Sequence, residues 1–194
     1  MRKFSPRILL VIVAVIAFGV IVGLIVRDAQ TPTVPVALPL TNTFDKSSGF
    51  TLKYPDDWQY AIPSAGVFIV APAQTLDGTE IGPTLTIQRA NPLEVLGTLD
   101  KALNGYLQGG PLRTAGRWQV TDTAHAIQFN GNDARMVELE GADTPGTTPL
   151  HTEIIAIAAK DTFVYLLTTT TPISKRAEFD PTLEAMLKTV QILE

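Results

Sequence analysis

The chain has 194 residues, with 15 Lys and Arg against 19 Asp and Glu, and it contains no cysteine. The absence of cysteine excludes disulfides, thiolate metal sites, thiol catalysis and lipid attachment through a thiol. From residue 28 onward the sequence carries 11 basic and 19 acidic groups, and this net charge of −8 argues against nucleic acid as a partner. The length beyond the first segments suits one ordinary domain with a substantial core.

An apolar run extends from Ile8 to Val26 without a single charged residue. As a helix it reaches roughly 28 Å, which matches a hydrocarbon core of about 30 Å. Three basic residues precede the run, whereas Arg27 after it is balanced by Asp28, and this asymmetry predicts a cytoplasmic amino end. The run exceeds the length of a secretory signal core, and no small-x-small triplet ends it. We therefore predict an uncleaved anchor over residues 1–27, in a single-pass cell-membrane protein whose bulk lies on the extracytoplasmic side.

Gly19 and Gly23 form a GxxxG pattern inside the predicted span. This spacing puts two bare patches on one helix face and lets a second helix approach closely. We expect a packing site for another membrane helix. The alternative is chance, because glycine is common in membrane helices.

Residues 28–43 contain Pro32, Pro35 and Pro39 and show neither a helical nor a strand period. Spaced prolines favour an extended backbone, which at about 3.1 Å per residue lifts a domain roughly 50 Å from the membrane. We interpret this segment as a stalk. The alternative is that its apolar residues lie against the surface of a partner.

The segment that opens the predicted domain of residues 44–194 reads as two strands joined by a Ser-Ser-Gly turn. In the second strand, Phe50, Leu52 and Tyr54 alternate onto one face. A turn that begins with Pro55 then returns Trp58 to the core.

Two hairpins and two helices complete the predicted domain. The hairpin strands around residues 150–170 are apolar on both faces and must be covered on both sides. One hairpin pairs Trp118–Phe129 with Ala134–Glu140, and the other pairs Leu150–Ala159 with Phe163–Thr170. The first helix starts at Asn91 and ends at Gly109. The second helix starts at Asp180, with Pro181 as its first residue. The predicted fold class is α+β, an α/β/α sandwich with a mostly antiparallel central sheet covered by helices on both faces, preceded by one transmembrane helix.

The opening strand resembles a known family. Gly49 and Phe50 followed by Tyr54-Pro55-x-x-Trp58 is similar to the start of the PsbP-like family, named after an extrinsic subunit of photosystem II. The family also includes exported or anchored bacterial proteins and a Ran-binding protein of nuclear transport. The resemblance implies the α/β/α sandwich and a setting in photosynthetic or respiratory electron transport.

No residue set in the sequence points clearly to catalysis. A metal site would need His125, His151 and Glu153, and the alternative is that both histidines are hydrogen-bonded or solvated at strand ends. Asp56 and Asp57 are neighbours in a turn and do not face each other across a cleft, as glycosidase carboxylates do. G-x-S-x-G, phosphate-loop and dinucleotide patterns are missing. We predict no catalytic, cofactor-binding or metal residue, and hence no enzyme.

These observations favour a membrane-anchored accessory subunit whose extracytoplasmic domain binds and stabilises other subunits of a membrane complex. The alternative is a solitary binding module for a small apolar or lipid-like ligand, which predicts an apolar cavity near Trp58 or Trp118.

Overall fold

A seven-stranded antiparallel sheet dominates the computed structural model, which describes residues 35–46, 49–91, 97–109, 117–142, 147–159 and 163–193. Its strands are β3 (Trp58–Ser64), β4 (Val67–Pro72), β5 (Thr84–Arg89), β6 (Arg117–Phe129), β7 (Asn132–Ala142), β8 (Leu150–Ala158) and β9 (Val164–Pro172). Across the sheet their order is β3-β4-β5-β9-β8-β7-β6. The prediction of a mostly antiparallel sheet is confirmed.

Three α-helices accompany the sheet among the described residues: α1 (Ala73–Leu76), α2 (Leu99–Gly109) and α3 (Arg176–Thr189), the last preceded by a 3₁₀ turn at Ile173–Lys175. Successive residues of a strand point to opposite faces. Ile154 of β8 packs in one core cluster with Leu103 of α2, and its neighbour Ile155 packs in the other with Met186 of α3. The two long helices therefore lie on opposite faces of the sheet.

A second, three-stranded sheet was not predicted. It consists of β1 (Leu40–Lys46), β2 (Phe50–Pro55) and β10 (Gln191–Ile192), with β2 in the middle. Both neighbours of β2 pair antiparallel to it. This sheet packs its aromatic side chains onto the α3 side of the core.

The domain begins earlier than residue 44, where we expected the stalk to end. Leu40 pairs with Pro55 and packs against the core, and the Leu38 N–H donates a hydrogen bond of 3.0 Å to Thr182 Oγ1. The prolines suggested an isolated extended segment, but an extended backbone is also what a strand needs. Residues 40–43 are therefore part of the first strand.

Both long helices begin at residues other than the expected ones. Gly97 has φ +87°, and α2 starts only at Leu99, after Thr98 Oγ1 accepts a hydrogen bond from the Lys101 N–H. The predicted single helix from Asn91 to Gly109 is therefore interrupted at Gly97 and Thr98, and its predicted first turn, residues 92–96, lies outside the described part of the chain.

α3 starts at Arg176, not at Asp180, so Pro181 lies inside the helix. Arg176 Nε donates to Asp180 Oδ2 at 2.9 Å, a pair one turn apart that favours the first turn. Asp180 thus serves as the partner of Arg176 and not as a cap.

The predicted span Ile8–Val26, with Gly19 and Gly23, lies outside the described residues. Within the described ranges, no helix is both long and apolar enough to cross a membrane.

Candidate functional site

The five residues that carry the family resemblance lie just before β2, in β2 and at the start of β3. Phe50 is 3% exposed, and its ring centroid lies 5.4 Å from that of Phe68. Tyr54 is also buried, and the carbonyl of Pro55 accepts a hydrogen bond of 3.2 Å from the Asn42 side chain. The rings of Phe50 and Tyr54 thus join the small sheet to the large one, and the Asn42–Pro55 hydrogen bond links β1 to β2 within the small sheet.

Gly49 precedes β2 with φ +84°, a conformation that favours glycine. A Cβ atom at this position would collide with the hydroxyl of Tyr165 on β9. The position therefore needs glycine for two independent reasons, its backbone conformation and its close approach to a buried side chain.

Trp58 borders a groove of about 530 Å³ on the protein surface, which we call the Trp58 groove. Its walls come from β3, the end of β4, α3 and the chain that leads into β1. The apolar lining consists of Pro35, Val36, Leu38, Trp58, Pro72, Pro83 and Phe179. The ligand-binding alternative expects an apolar cavity near Trp58 or Trp118; beside Trp58 the structure has this open groove with charged residues, while Trp118 packs against the core on the α2 side.

The indole of Trp58 is only 2% exposed, and its ring centroid lies 6.5 Å from that of Phe179. Its Nε1 has no hydrogen-bond partner among the described residues. A buried donor without an acceptor costs about 1–3 kcal/mol. An occupant of the groove with a carbonyl or carboxylate oxygen would remove this cost only after a shift of the indole, because Nε1 itself has almost no exposed surface.

Charged and exposed apolar side chains surround the Trp58 groove. Lys175 pairs with Glu80 across it, and Asp57 and Glu178 also line it. Val36, at 83% exposed, lies in the lining, so the groove has apolar surface in contact with solvent. Such a mixture of apolar floor and charged rim resembles a protein interface more than a closed ligand cavity.

A second groove of about 580 Å³ lies on the α2 side. Arg89 stacks 3.5 Å from the ring centroid of Phe163 at its edge. The chain continues from its lining residues Asn91 and Phe163 into segments 92–96 and 160–162, which the structure does not describe. We assign no function to this groove.

The two histidines are too far apart to share a metal ion. On β7, Met136 faces His125 and Glu140 faces His151, so the histidines are separated by four residues along the strands and two strand spacings across them. These separations are about 13 Å and 10 Å. Across the described ranges, no three acidic or histidine side chains form a set that could hold a metal.

Acidic residues instead line up across three strands on the α3 face. Glu138 faces Asp122 on one neighbouring strand and Glu153 on the other. Like charges directly opposite one another destabilise a sheet. The row of carboxylates therefore lowers the free energy of unfolding, and neutral residues at these positions would not.

Part of this row lines a cavity of about 130 Å³ between the sheet and α3, which we call the acidic cavity. Its charged or titratable residues are Glu138, His151 and Glu153 from the sheet, and Arg176, Asp180 and Glu184 from α3. The sequence placed His151 and Glu153 on one strand face, but it did not reveal the approach of β7 and α3. His125 is thus not near His151 and Glu153, which instead share the acidic cavity with Glu138 of β7 and with residues of α3.

Burial raises the pKa of Glu153 from 4.5 to about 7. The nearby carboxylates of Glu138, Glu184 and Asp180 raise this pKa further, whereas the Arg176 guanidinium lowers it. The folded protein thus holds this proton more tightly than the unfolded chain. The stabilisation from the bound proton is complete below pH 4.5 and is lost as the pH rises through 7.

Comparisons of the sequence and of the fold give different results. No family model and no curated protein matches the sequence significantly. The fold is similar to that of the Saccharomyces cerevisiae Ran-binding protein Mog1p, with a TM-score of 0.53 and 9% identity over 80% of this chain and 97% of Mog1p. LpqN of Mycobacterium tuberculosis, involved in cell envelope biogenesis, has a TM-score of 0.51 and 15% identity over 75% of this chain and 83% of LpqN.

A Bacteroides thetaiotaomicron protein is also similar, with a TM-score of 0.53 and 12% identity over 80% of this chain. The chain spans only 50% of the length of that protein. At these identities the similarity establishes a shared fold and nothing about activity.

Proposed function

We propose that this chain is a non-catalytic accessory subunit, anchored in a membrane by residues 8–26, whose extracytoplasmic domain binds and stabilises other subunits through the Trp58 groove. The anchor and its orientation rest on the sequence. The observation that carries the binding role is the Trp58 groove itself, whose lining combines the exposed side chain of Val36 with charged residues and with a tryptophan whose Nε1 lacks an acceptor among the described residues.

A segment of another protein would complement this groove in two ways. A backbone carbonyl would accept a hydrogen bond from Trp58, and apolar side chains would cover Val36 and Phe179. The charged rim, with Glu80 and Lys175, suits the polar periphery of a protein interface.

The shared fold supports the proposal by analogy. Mog1p is a Ran-binding protein with the same fold, so this architecture can present a protein-binding surface. Together with the sequence resemblance to the PsbP-like family and its α/β/α sandwich, this makes photosynthetic or respiratory electron-transport complexes the first place to look for the partner.

The test is co-purification of the full-length chain in mild detergent, followed by size-exclusion chromatography and mass spectrometry of the peak. We expect stoichiometric membrane-protein partners. Trp58→Phe keeps most of the packing but removes the N–H, and it should weaken partner retention about tenfold, as loss of one buried hydrogen bond implies. Val36→Asp on the exposed wall should have a similar effect.

Val120→Asp is the matched control, because Val120 is an exposed apolar residue of β6 outside the groove lining. It should leave retention unchanged. If all three variants retain partners equally well, the groove is not the docking site. Gly19→Leu with Gly23→Leu separates the contribution of the predicted anchor, since it alters only the predicted membrane helix.

A second candidate is a binding module for a small apolar or lipid-like ligand. The groove volume of about 530 Å³ favours it, because ligand pockets usually measure about 300–1,000 Å³. Elution of the chain alone, with an organic molecule released on denaturation, would support this candidate over the accessory subunit.

A further inference from the structure

Glu153 is a partly buried acid that faces other acids from two directions. Within the sheet it lies directly opposite Glu138 of β7 on one side and opposite the neutral Thr169 of β9 on the other. Asp180 and Glu184 of α3 line the same acidic cavity. Four carboxyl groups of the described residues therefore converge where the helix packs on the sheet.

The cations near these carboxyl groups already have partners. Arg176, the one cation in the cavity lining among the described residues, lies 2.9 Å from Asp180 and 3.6 Å from Glu140. Lys188 lies 3.9 Å from Glu184, in a pair whose two side chains are exposed. A negative charge on Glu153 would therefore add to a set of carboxylates whose neighbouring cations are engaged.

The other titratable groups on this face of the sheet lie beside Glu153. His151, two residues away on β8, is buried, and its ring nitrogens lie 3.7 Å from Glu138 and 3.6 Å from Glu140. Asp122 and His125 belong to β6, on the far side of β7. An effect of pH at the acidic cavity can thus come from Glu153 or from His151, and an experiment has to separate them.

The packing of α3 determines how strongly Glu153 holds its proton. Burial first, and then the carboxylates of Glu138, Glu184 and Asp180, raise its pKa from 4.5 to about 7, while Arg176 lowers it. If α3 moves away, water reaches the carboxyl group and its pKa falls towards the ordinary value. The packed state therefore binds the proton more tightly, and a rise in pH from 4.5 through 7 favours the open state.

The helix, and not the sheet, is the element that can yield. β8 is paired to β7 on one side and to β9 on the other over nearly its whole length. α3 is held by the side chains of Leu183, Met186 and Leu187 and by a few hydrogen bonds at its edges. Local opening of such an element disrupts fewer interactions than removal of a central strand.

We propose that protonation of Glu153 controls the packing of α3 on the sheet: the helix stays packed while this carboxyl group is neutral and opens locally when it ionises.

Opening of α3 would also change the Trp58 groove, because Glu178 and Phe179 of this helix line it. That consequence for partner binding rests on the proposed function, whereas the pH-dependent packing of α3 does not. The test below therefore needs no partner, and it can fail or succeed independently of co-purification.

The test is amide hydrogen exchange of the full-length chain in mild detergent at pH 5.5 and pH 8, read by mass spectrometry of peptides. After correction for the intrinsic effect of pH on exchange, the opening constant of α3 should rise about tenfold from pH 5.5 to pH 8. Peptides from α2, on the opposite face of the sheet, are the internal control and should change less than about twofold.

Variants assign the effect to one carboxyl group. Glu153→Gln is neutral at every pH, so it should keep α3 closed at pH 8 and remove most of the tenfold rise. Glu138→Gln should reduce the rise, because it removes the facing carboxylate. Glu178→Gln makes the same charge change at an exposed position of α3 outside the cavity lining, and it should leave the rise unchanged.

Three results would overturn the proposal. One is an opening constant of α3 that is equal at the two pH values. Another is an equal rise in α2, which would show a change in global stability and not in the packing of one helix. The third is a full pH dependence in Glu153→Gln, which would assign the effect to His151.

Discussion

At the scale of single residues, the structure explains Gly49 more fully than the sequence does. The sequence placed this glycine in a turn, which its φ of +84° agrees with. The tertiary structure adds a neighbour 116 positions away in the chain, because the Tyr165 hydroxyl occupies the space that any side chain would need. Turn propensity alone therefore underestimates the constraint.

Gly49→Ala should destabilise the protein by about 2–4 kcal/mol, since left-handed backbone costs an alanine about 1–2 kcal/mol and the clash with Tyr165 adds to it. Gly78→Ala is the matched control, with a φ of +77° and open space around the position. Gly78→Ala should lower the free energy of unfolding only by the about 1–2 kcal/mol that the left-handed backbone costs an alanine. Urea denaturation measures both free energies of unfolding.

Tyr165→Phe provides the second half of a double-mutant cycle. Removing the hydroxyl should recover about 1 kcal/mol or more in the Gly49→Ala background, because the clash is relieved while the backbone strain remains. Equal costs for Gly49→Ala and Gly78→Ala, with no coupling to Tyr165, would show that the close approach is unimportant.

At the scale of elements, the turn between β6 and β7 has a role beyond its hairpin. Asn130 and Gly131 both have positive φ, +47° and +84°, as a two-residue hairpin turn requires. The Asn130 amide also donates hydrogen bonds to the carbonyls of Leu187 and Val190, at 3.3 and 2.7 Å. The turn thus ties the hairpin to the end of α3, where the Leu187 carbonyl also accepts a hydrogen bond from the Val190 N–H.

Two substitutions separate these roles of Asn130. Asn130→Gly keeps the backbone conformation and loses only the contacts with α3, so it should cost about 1–2 kcal/mol. Asn130→Ala loses these contacts and also disfavours the positive φ, so it should lower the free energy of unfolding by about 1 kcal/mol more than Asn130→Gly does. Thermal or urea unfolding gives the comparison, and an Asn130→Gly variant as stable as the wild type would mean that the contacts with α3 contribute nothing.

At the scale of the whole molecule, the folded domain starts before the predicted boundary at residue 44. The compact unit includes residues from Pro35, and β1 begins at Leu40. The prolines favour an extended chain in either case. An extended segment can be a free linker or a strand, and in this protein residues 40–46 pair with β2.

Two fragments test this boundary. A fragment of residues 35–194 should fold cooperatively, and one of residues 44–194 should be less stable by about 3 kcal/mol, because it loses the buried part of Leu40, its strand pairing and the Leu38–Thr182 hydrogen bond. Leu40→Ala in the longer fragment should account for roughly half of the difference. Equal urea midpoints for the two fragments would place residues 35–43 outside the folded unit.

The sequence by itself determined the features that depend on neighbouring residues. The β6–β7 hairpin follows from its Asn-Gly turn, and the covered sheet follows from β8 and β9, which are apolar on both faces. These signals act over a few residues, where propensity and periodicity are strongest. The predicted span at residues 8–26 is a signal of the same local kind.

Only the tertiary structure decided which distant residues meet. The addition of β10 to β2 joins positions about 140 residues apart, and the Trp58 groove combines β3, α3 and the chain before β1. The acidic row depends on the register of β6, β7 and β8, since a shift of one residue would turn Glu138 to the other face. No local pattern encodes such a register, because it is set by the packing of both faces of the sheet at once.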